Sequence, residues 1–187
     1  MNVLTTGPVR SSACDVRIGP HPDQRGTWLL RTTQWFPRRR EELFEFFGDA
    51  FNLEQITPPF LHFQVQTARP ISMRPGTLIE YRLKLHVLPI RWKTEITAWE
   101  PGIRFIDTQL RGPYRLWVHE HRFYDDAGGT RVEDAVSYRV PMQSWPGVGW
   151  MVHALFVQRD LRTIFTYRGQ VLKRLFGAAA HGSDSAR

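Results

Sequence analysis

The sequence predicts an α+β domain: a curved antiparallel sheet of seven strands wrapped around one long C-terminal helix, with two short helices after the first strand. Three observations carry this prediction. Between residues 60 and 140 the chain is a succession of extended segments rich in β-branched and aromatic residues, separated only by short turns. Ahead of them, one extended segment is followed by a compact apolar helical stretch. Behind them, apolar residues recur at helical spacing to about Phe176.

The first extended segment is "TWLLRTTQW", Thr27 to Trp35. Pro37 suits the first turn of a helix, where a missing N–H costs nothing. In "RRREELFEFFGDA", Leu43, Phe44, Phe46 and Phe47 cluster for burial, and Gly48 marks a stop. "FNLEQI" supplies a further helical turn or two before the "TPP" break. Strands are then expected at Phe60–Thr67, Thr77–Leu85, Ile90–Trp99, Ile103–Leu110, Arg115–Tyr124 and Thr130–Val140. Between them lie "RPISMRPG", "HVLP", "EPG", "RGPY" and "DDAGG", and connections this short imply a meander. The final helix is expected from about Gly149 to Phe176, laid across the sheet face that needs cover. A sheet that curls around such a helix without closing tightly leaves a pocket between them.

The chain has 187 residues, 42% hydrophobic and 23% charged, which fits one domain with its own core. Residues 1–25 read as a flexible lead-in, 26–176 as the folded domain and 177–187 as a frayed tail. The one cysteine, Cys14, can form no internal disulfide and rules out a Cys-rich zinc site. With no stretch long and apolar enough to span a bilayer, a cytoplasmic protein is expected. A formal charge of +7 raises nucleic acid as a partner, but apart from "RRR" at 38–40 the arginines are spread singly through the strands. No zinc-finger, helix-turn-helix or RNA-recognition pattern accompanies them, so the charge reads as a solvated surface.

From Trp35 to Arg168 the chain resembles bacterial members of the START/Bet v 1-like superfamily, the SRPBCC or polyketide cyclase/dehydrase-like proteins. The blocks that carry the resemblance are "WFPRRREELFEFFGDAFNLEQITPPFLHFQV", "MRPGTLIEYRL", "LPIRWKTEITAWEPGIRFIDTQLRGPYRLWVHEHRF", "GGTRVEDAVSYRVP" and "IFTYR". The resemblance implies a helix-grip fold and a ligand cavity. It also brings an epimerase-like protein into view as a partner, because the subgroup is found fused to, or encoded beside, such proteins.

The chemistry concentrates in "GPYRLWVHEHRF". Strand alternation sends Trp117, His119, His121 and Phe123 to one face. The "RGPY" turn sets Asp107 opposite His119 and Phe105 opposite His121, and "DDAGG" sets Asp134 opposite His121 and Val136 opposite His119. Two Asp–His pairs are therefore expected on the concave side, with Gln109, Tyr138 and Tyr81 near them. A buried carboxylate needs a partner, and an imidazole is a ready one. The pairs could serve register alone, or orient a ligand's polar group. His-x-His with a nearby Asp can also meet a divalent ion, but there is no third histidine and both aspartates are available to hold the rings. No metal and no cofactor are assigned on that basis.

The expected function is binding or carrying a mostly apolar small molecule of lipid, isoprenoid or aromatic polyketide type. Its pocket would be lined by Tyr81, Trp92, Phe105, Asp107, Gln109, Trp117, His119, His121, Asp134, Tyr138 and Trp150, the last as part of a lid. The alternatives are a cyclase or dehydratase with His119 or His121 as general base, and an interaction module without a ligand. No nucleophile is suggested, since Cys14 falls in the lead-in and no Gly-x-Ser-x-Gly elbow occurs.

Overall fold

The computed structural model of the chain describes residues 14–85, 88–140 and 156–178. Eight strands form one antiparallel sheet: β1 (Asp15–Pro20), β2 (Trp28–Phe36), β3 (Gln64–Val65), β4 (Leu78–Leu85), β5 (Leu88–Glu100), β6 (Arg104–Arg111), β7 (Leu116–Asp126) and β8 (Gly129–Arg139). Their order is β1-β2-β8-β7-β6-β5-β4-β3, so the meander runs from one edge and its last strand returns beside β2. Helices α1 (Arg40–Gly48) and α2 (Leu53–Ile56) follow β2, and α3 (Gln158–Phe176) follows the sheet.

The predicted architecture is present, with two corrections. Asp15–Pro20, within the stretch expected as a lead-in, pairs along its whole length with β2 and raises the strand count from seven to eight. An edge strand covers little, and here only Val16 and Ile18 turn inward against the core. The strand expected at Phe60–Thr67 shrinks to Gln64–Val65, because Pro59–Leu61 forms a 3-10 turn closed by His62 at φ +44°. Helix α3 runs over Gln158–Phe176, and the helix start expected near Gly149 lies outside the described residues.

Turn chemistry fixes the register that matters for the site. Ala127 and Gly128 both take positive φ, +48° and +79°, as a two-residue type I′ hairpin turn requires. This turn sets Asp126 opposite Gly129 and, further along, His121 opposite Asp134. On the other side of β7, Phe105 pairs with His121 and Asp107 with His119. Strand β5 shifts register twice against β6, between Lys93 and Thr94 and between Ile96 and Ala98. Such bulges bend a strand and help the sheet to curve.

Three apolar clusters fill the space enclosed by the sheet. One gathers Phe36, Phe44, Phe47, Phe105 and Phe123 with Leu172 and Phe176 of α3. Another joins Leu30, Trp117, Val136 and Tyr138 to Leu161 and Phe165 of α3. A third holds Ala50, Ile79, Tyr81 and Ile96. Members of all three line one cavity.

Helix α3 comes very close to the N-terminal edge of the sheet at Gly169. A Cβ built there would lie 2.3 Å from Cys14 Cβ and 2.8 Å from Cys14 Sγ, while Gln34 Nε2 donates to the Gly169 carbonyl at 2.9 Å. Gly169→Ala should therefore destabilise by about 1–3 kcal/mol through overpacking, despite the ~1 kcal/mol that alanine gains as a helix former. Urea unfolding measures the difference. A variant as stable as the parent would mean that this close approach does not exist.

Candidate functional site

The cavity lies between the inner sheet face, the two short helices and α3, with a volume of about 160 Å³. Phe46, Phe47, Ala50, Leu53 and Ile56 wall it on the helix side. Strands β4 to β7 contribute Tyr81, Leu83, Trp92, Ile96, Phe105, Asp107, Trp117, His119 and His121. Leu161, Ile164, Phe165 and Arg168 of α3 complete the wall. Most of this lining is apolar; Asp107, His119, His121 and Arg168 supply its main polar patch.

Each side chain of that patch is placed by its strand position. Alternation turns His119 and His121 inward from β7, where they are buried with ring centroids 3.8 Å apart. Phe105 stacks on His121 at 4.2 Å, and Trp117 meets His119 edge-on. Asp107 reaches both rings with a single oxygen: Oδ2 lies 3.6 Å from His119 Nδ1 and 3.5 Å from His121 Nε2. The Thr94 hydroxyl donates to its other oxygen at 3.3 Å.

On the far side of β7, Asp134 Oδ1 lies 2.7 Å from His121 Nδ1 and 3.5 Å from His119 Nε2. Neither contact has the alignment of a hydrogen bond, so both are electrostatic contacts. The Thr32 hydroxyl anchors the second Asp134 oxygen at 3.0 Å. The two expected Asp–His pairs are thus one crossed network, in which each aspartate touches both rings.

The charges follow from this geometry. Burial pushes the Asp107 carboxyl up, but the His121 contact and the nearby imidazoles hold it below its ordinary value. Burial also opposes ionisation of Asp134, yet the same imidazoles bring it well below the usual carboxylate range. His119 is pushed down by burial and by the charge of His121. Burial lowers His121 too, but Asp134 and Asp107 outweigh it and leave this imidazole raised. Both carboxylates are thereby held in the ionised form, and His121 takes a proton more readily than His119.

Arg168 was missed by the sequence reading. It lines the cavity from α3, with its guanidinium 4.9 Å from the centre of the Phe165 ring. Its Nε and Nη1 are buried without a hydrogen-bond partner, and burial lowers its pKa while Asp134 and Asp107 support its charge. A signal was present: Leu161, Phe165, Arg168 and Leu172 share one helical stripe, so a cation interrupts an otherwise apolar face.

Seven of the eleven expected lining residues line the cavity: Tyr81, Trp92, Phe105, Asp107, Trp117, His119 and His121. Three others do not. Gln109 closes the β6–β7 turn, its Nε2 donating to the Tyr114 carbonyl at 2.7 Å, because at this end of the strand the nearby main chain captures the amide. Asp134 faces a small void with Thr32, Gln34, Cys14 and Arg168, since it sits on the opposite flank of β7. Tyr138 is fully buried in the core against Trp117 and Tyr114, one strand further from the cavity. Trp150 lies outside the described residues. Cys14 offers no nucleophile in its resting state, because burial pushes its thiol up to about 11.

Asp107, His119 and His121 each offer one donor atom, and these lie within 4.8 Å of one another, close enough to hold a metal ion. No described helix is long and apolar enough to cross a membrane.

A curved antiparallel sheet gripping a C-terminal helix over an apolar cavity is the helix-grip architecture. Solved structures share it. Protein Ms6760 from Mycobacterium smegmatis superposes with a TM-score of 0.60 at 18% identity, covering 86% of this chain and 95% of its own. The Zhui aromatase/cyclase from Streptomyces sp. R1128 gives 0.57 at 14% identity, with 83% and 99% covered. Major latex-like protein 151 from Panax ginseng gives 0.51 at 15%, with 74% and 97% covered. The fold is that of the START/Bet v 1-like, SRPBCC superfamily. No protein-family model matches the chain, and no curated protein matches it.

Proposed function

We propose that this chain binds a mostly apolar small molecule in the cavity, with one polar group of the ligand turned toward Asp107, His119, His121 and Arg168. The observation that carries this reading is an apolar cavity whose main polar groups converge on one patch. Apolar walls supply affinity by removing ligand surface from water, and a few placed polar groups set orientation. A volume of about 160 Å³ accommodates one aromatic ring or a short branched chain. Of the lipid, isoprenoid and aromatic polyketide classes, ring-bearing molecules therefore fit best, with any longer part extending beyond the cavity. A cytoplasmic setting and an epimerase-like partner stay with this reading as expectations.

A cyclase or dehydratase is the second reading. It is favoured by the placement of both imidazoles in the cavity wall, where His119 or His121 could take a proton from a bound ring precursor.

Native mass spectrometry of freshly purified protein tests the first reading. An apolar molecule should co-purify, and a fluorescent probe such as anilinonaphthalene sulfonate should compete with it. A protein that carries no adduct and takes up no probe is not a binder. Conversion of the co-purified molecule on standing would instead favour the enzyme.

A further inference from the structure

The crossed network has an asymmetry that charge pairing alone does not require. The cavity side presents His119 Nδ1, His121 Nε2 and Asp107 Oδ2, with N···O separations of 3.6 and 3.5 Å. Those distances are too long for hydrogen bonds, which run to about 3.2 Å. Across β7, the other nitrogen of each ring faces the same oxygen of Asp134. The tautomer that places the N–H on each rear nitrogen, toward the accepting Asp134 carboxylate, leaves the cavity-side nitrogens as lone-pair donors. When both rings are neutral, two nitrogen lone pairs and a carboxylate oxygen face one another on the cavity side.

We infer that Asp107, His119 and His121 form a binding site for a divalent transition-metal ion of the zinc type, with Asp134 orienting both imidazoles from the opposite flank. Donors around a tetrahedral ion with bonds of about 2.1 Å stand about 3.4 Å apart. Both N···O separations are close to that edge, and all three donor atoms lie within 4.8 Å of one another. Two imidazoles and one carboxylate are a recognised set for such ions, and a carboxylate behind the imidazoles is the usual way their rings are held. Thr32 fixes Asp134 in turn.

The three ligands line the cavity and Asp134 does not, so the fourth coordination position opens toward the bound molecule. Charge then selects what fills it. Two carboxylates, Arg168 and the ion sum to −2 + 1 + 2 = +1, which favours an anionic oxygen: hydroxide, a carboxylate or a phenolate. Arg168, with two unpartnered guanidinium nitrogens in the same wall, is placed to meet that oxygen. This assignment stands whether or not the apolar part of the cavity holds a ligand.

The test uses the full-length chain without an affinity tag, stripped with EDTA and dialysed into metal-free buffer. Calorimetric titration with Zn²⁺ should show one equivalent bound at micromolar concentration or below. Co²⁺ should give the intense visible absorption of a four-coordinate ion. Asp107→Asn and His119→Gln should each weaken binding at least tenfold, and Asp134→Asn by about 10–100-fold. Failure of the parent protein to bind one equivalent overturns the assignment without any variant having to fold. Binding of unchanged strength in Asp107→Asn overturns it equally, because the ion would then sit elsewhere on the chain.

Discussion

Replacing His121 with alanine should lower folding stability by about 3–5 kcal/mol, the usual cost of stranding one member of a buried ion pair. Asp134 is buried, and its 2.7 Å contact to His121 Nδ1 is the shortest in the network. Without that ring, Asp134 retains the Thr32 hydroxyl at 3.0 Å, His119 at 3.5 Å and the charge of Arg168. Asp107 loses its 3.5 Å contact as well, and Phe105 loses the ring stacked on it. The double change Asp134→Asn with His121→Gln should cost less, since neutral amides impose no charge on the interior and still hydrogen-bond. Urea unfolding of the parent and both variants separates the two outcomes. If His121→Ala unfolds at the parent's midpoint, the crossed network is not the arrangement in solution. Ligand affinity of the folded double variant then reports on function. It should fall if the network orients the ligand, and hold if the network serves register alone.

The legible part of this site was its register. Strand alternation and two turns suffice to place Phe105 and Asp107 opposite His121 and His119, and Asp134 opposite His121, and the strands pair in that way. Such an inference works because a one-residue slip would move every side chain to the other face, so turn and pattern must agree. What alternation cannot show is how far a side chain reaches once it faces inward. Two separate pairs were expected because opposition was taken for contact, whereas the imidazoles lie 3.8 Å apart and each aspartate spans both. Gln109 and Tyr138 show the same limit. Both occupy strands near the site, yet one bonds the turn and the other fills the core. Strand β1 was hidden for a different reason. An edge strand needs few apolar residues, and Val16 and Ile18 alone carry its pattern.

Arg168 shows how a long-range partner escapes a local reading. Nothing near it in sequence is acidic except Asp160, while the charges it feels most are Asp134 and Asp107, on strands β8 and β6. Helix packing alone brings them together. A buried cation on an apolar stripe would be costly without those carboxylates. Asp107 in turn is held down by both imidazoles and by Arg168, and Asp134 by both imidazoles, which is why both aspartates can stay ionised inside the fold. Site and helix position therefore depend on each other.

The second large effect concerns Phe105, where core and cavity share one side chain. Its ring is buried, stacks on His121 at 4.2 Å, and packs against Trp99 at 5.3 Å and Phe44 at 6.0 Å. It also lines the cavity. Phe105→Ala should cost about 3–5 kcal/mol, from lost apolar burial and from the space left behind. That space should open into the cavity, so the variant should bind a larger apolar probe than the parent does. Leu30→Ala is the control. Leu30 is fully buried beside Tyr138 and Val136 but does not line the cavity. Its loss should cost a similar amount, about 2–5 kcal/mol, with no gain in probe size. Urea midpoints give the stability losses, and displacement of a fluorescent probe by a graded series of alkylbenzenes gives the capacities. If both variants change capacity alike, general loosening explains the effect and the cavity wall is misdrawn. If Phe105→Ala alone admits the longer members, Phe105 sets the cavity's depth and holds the histidine ring at its polar patch.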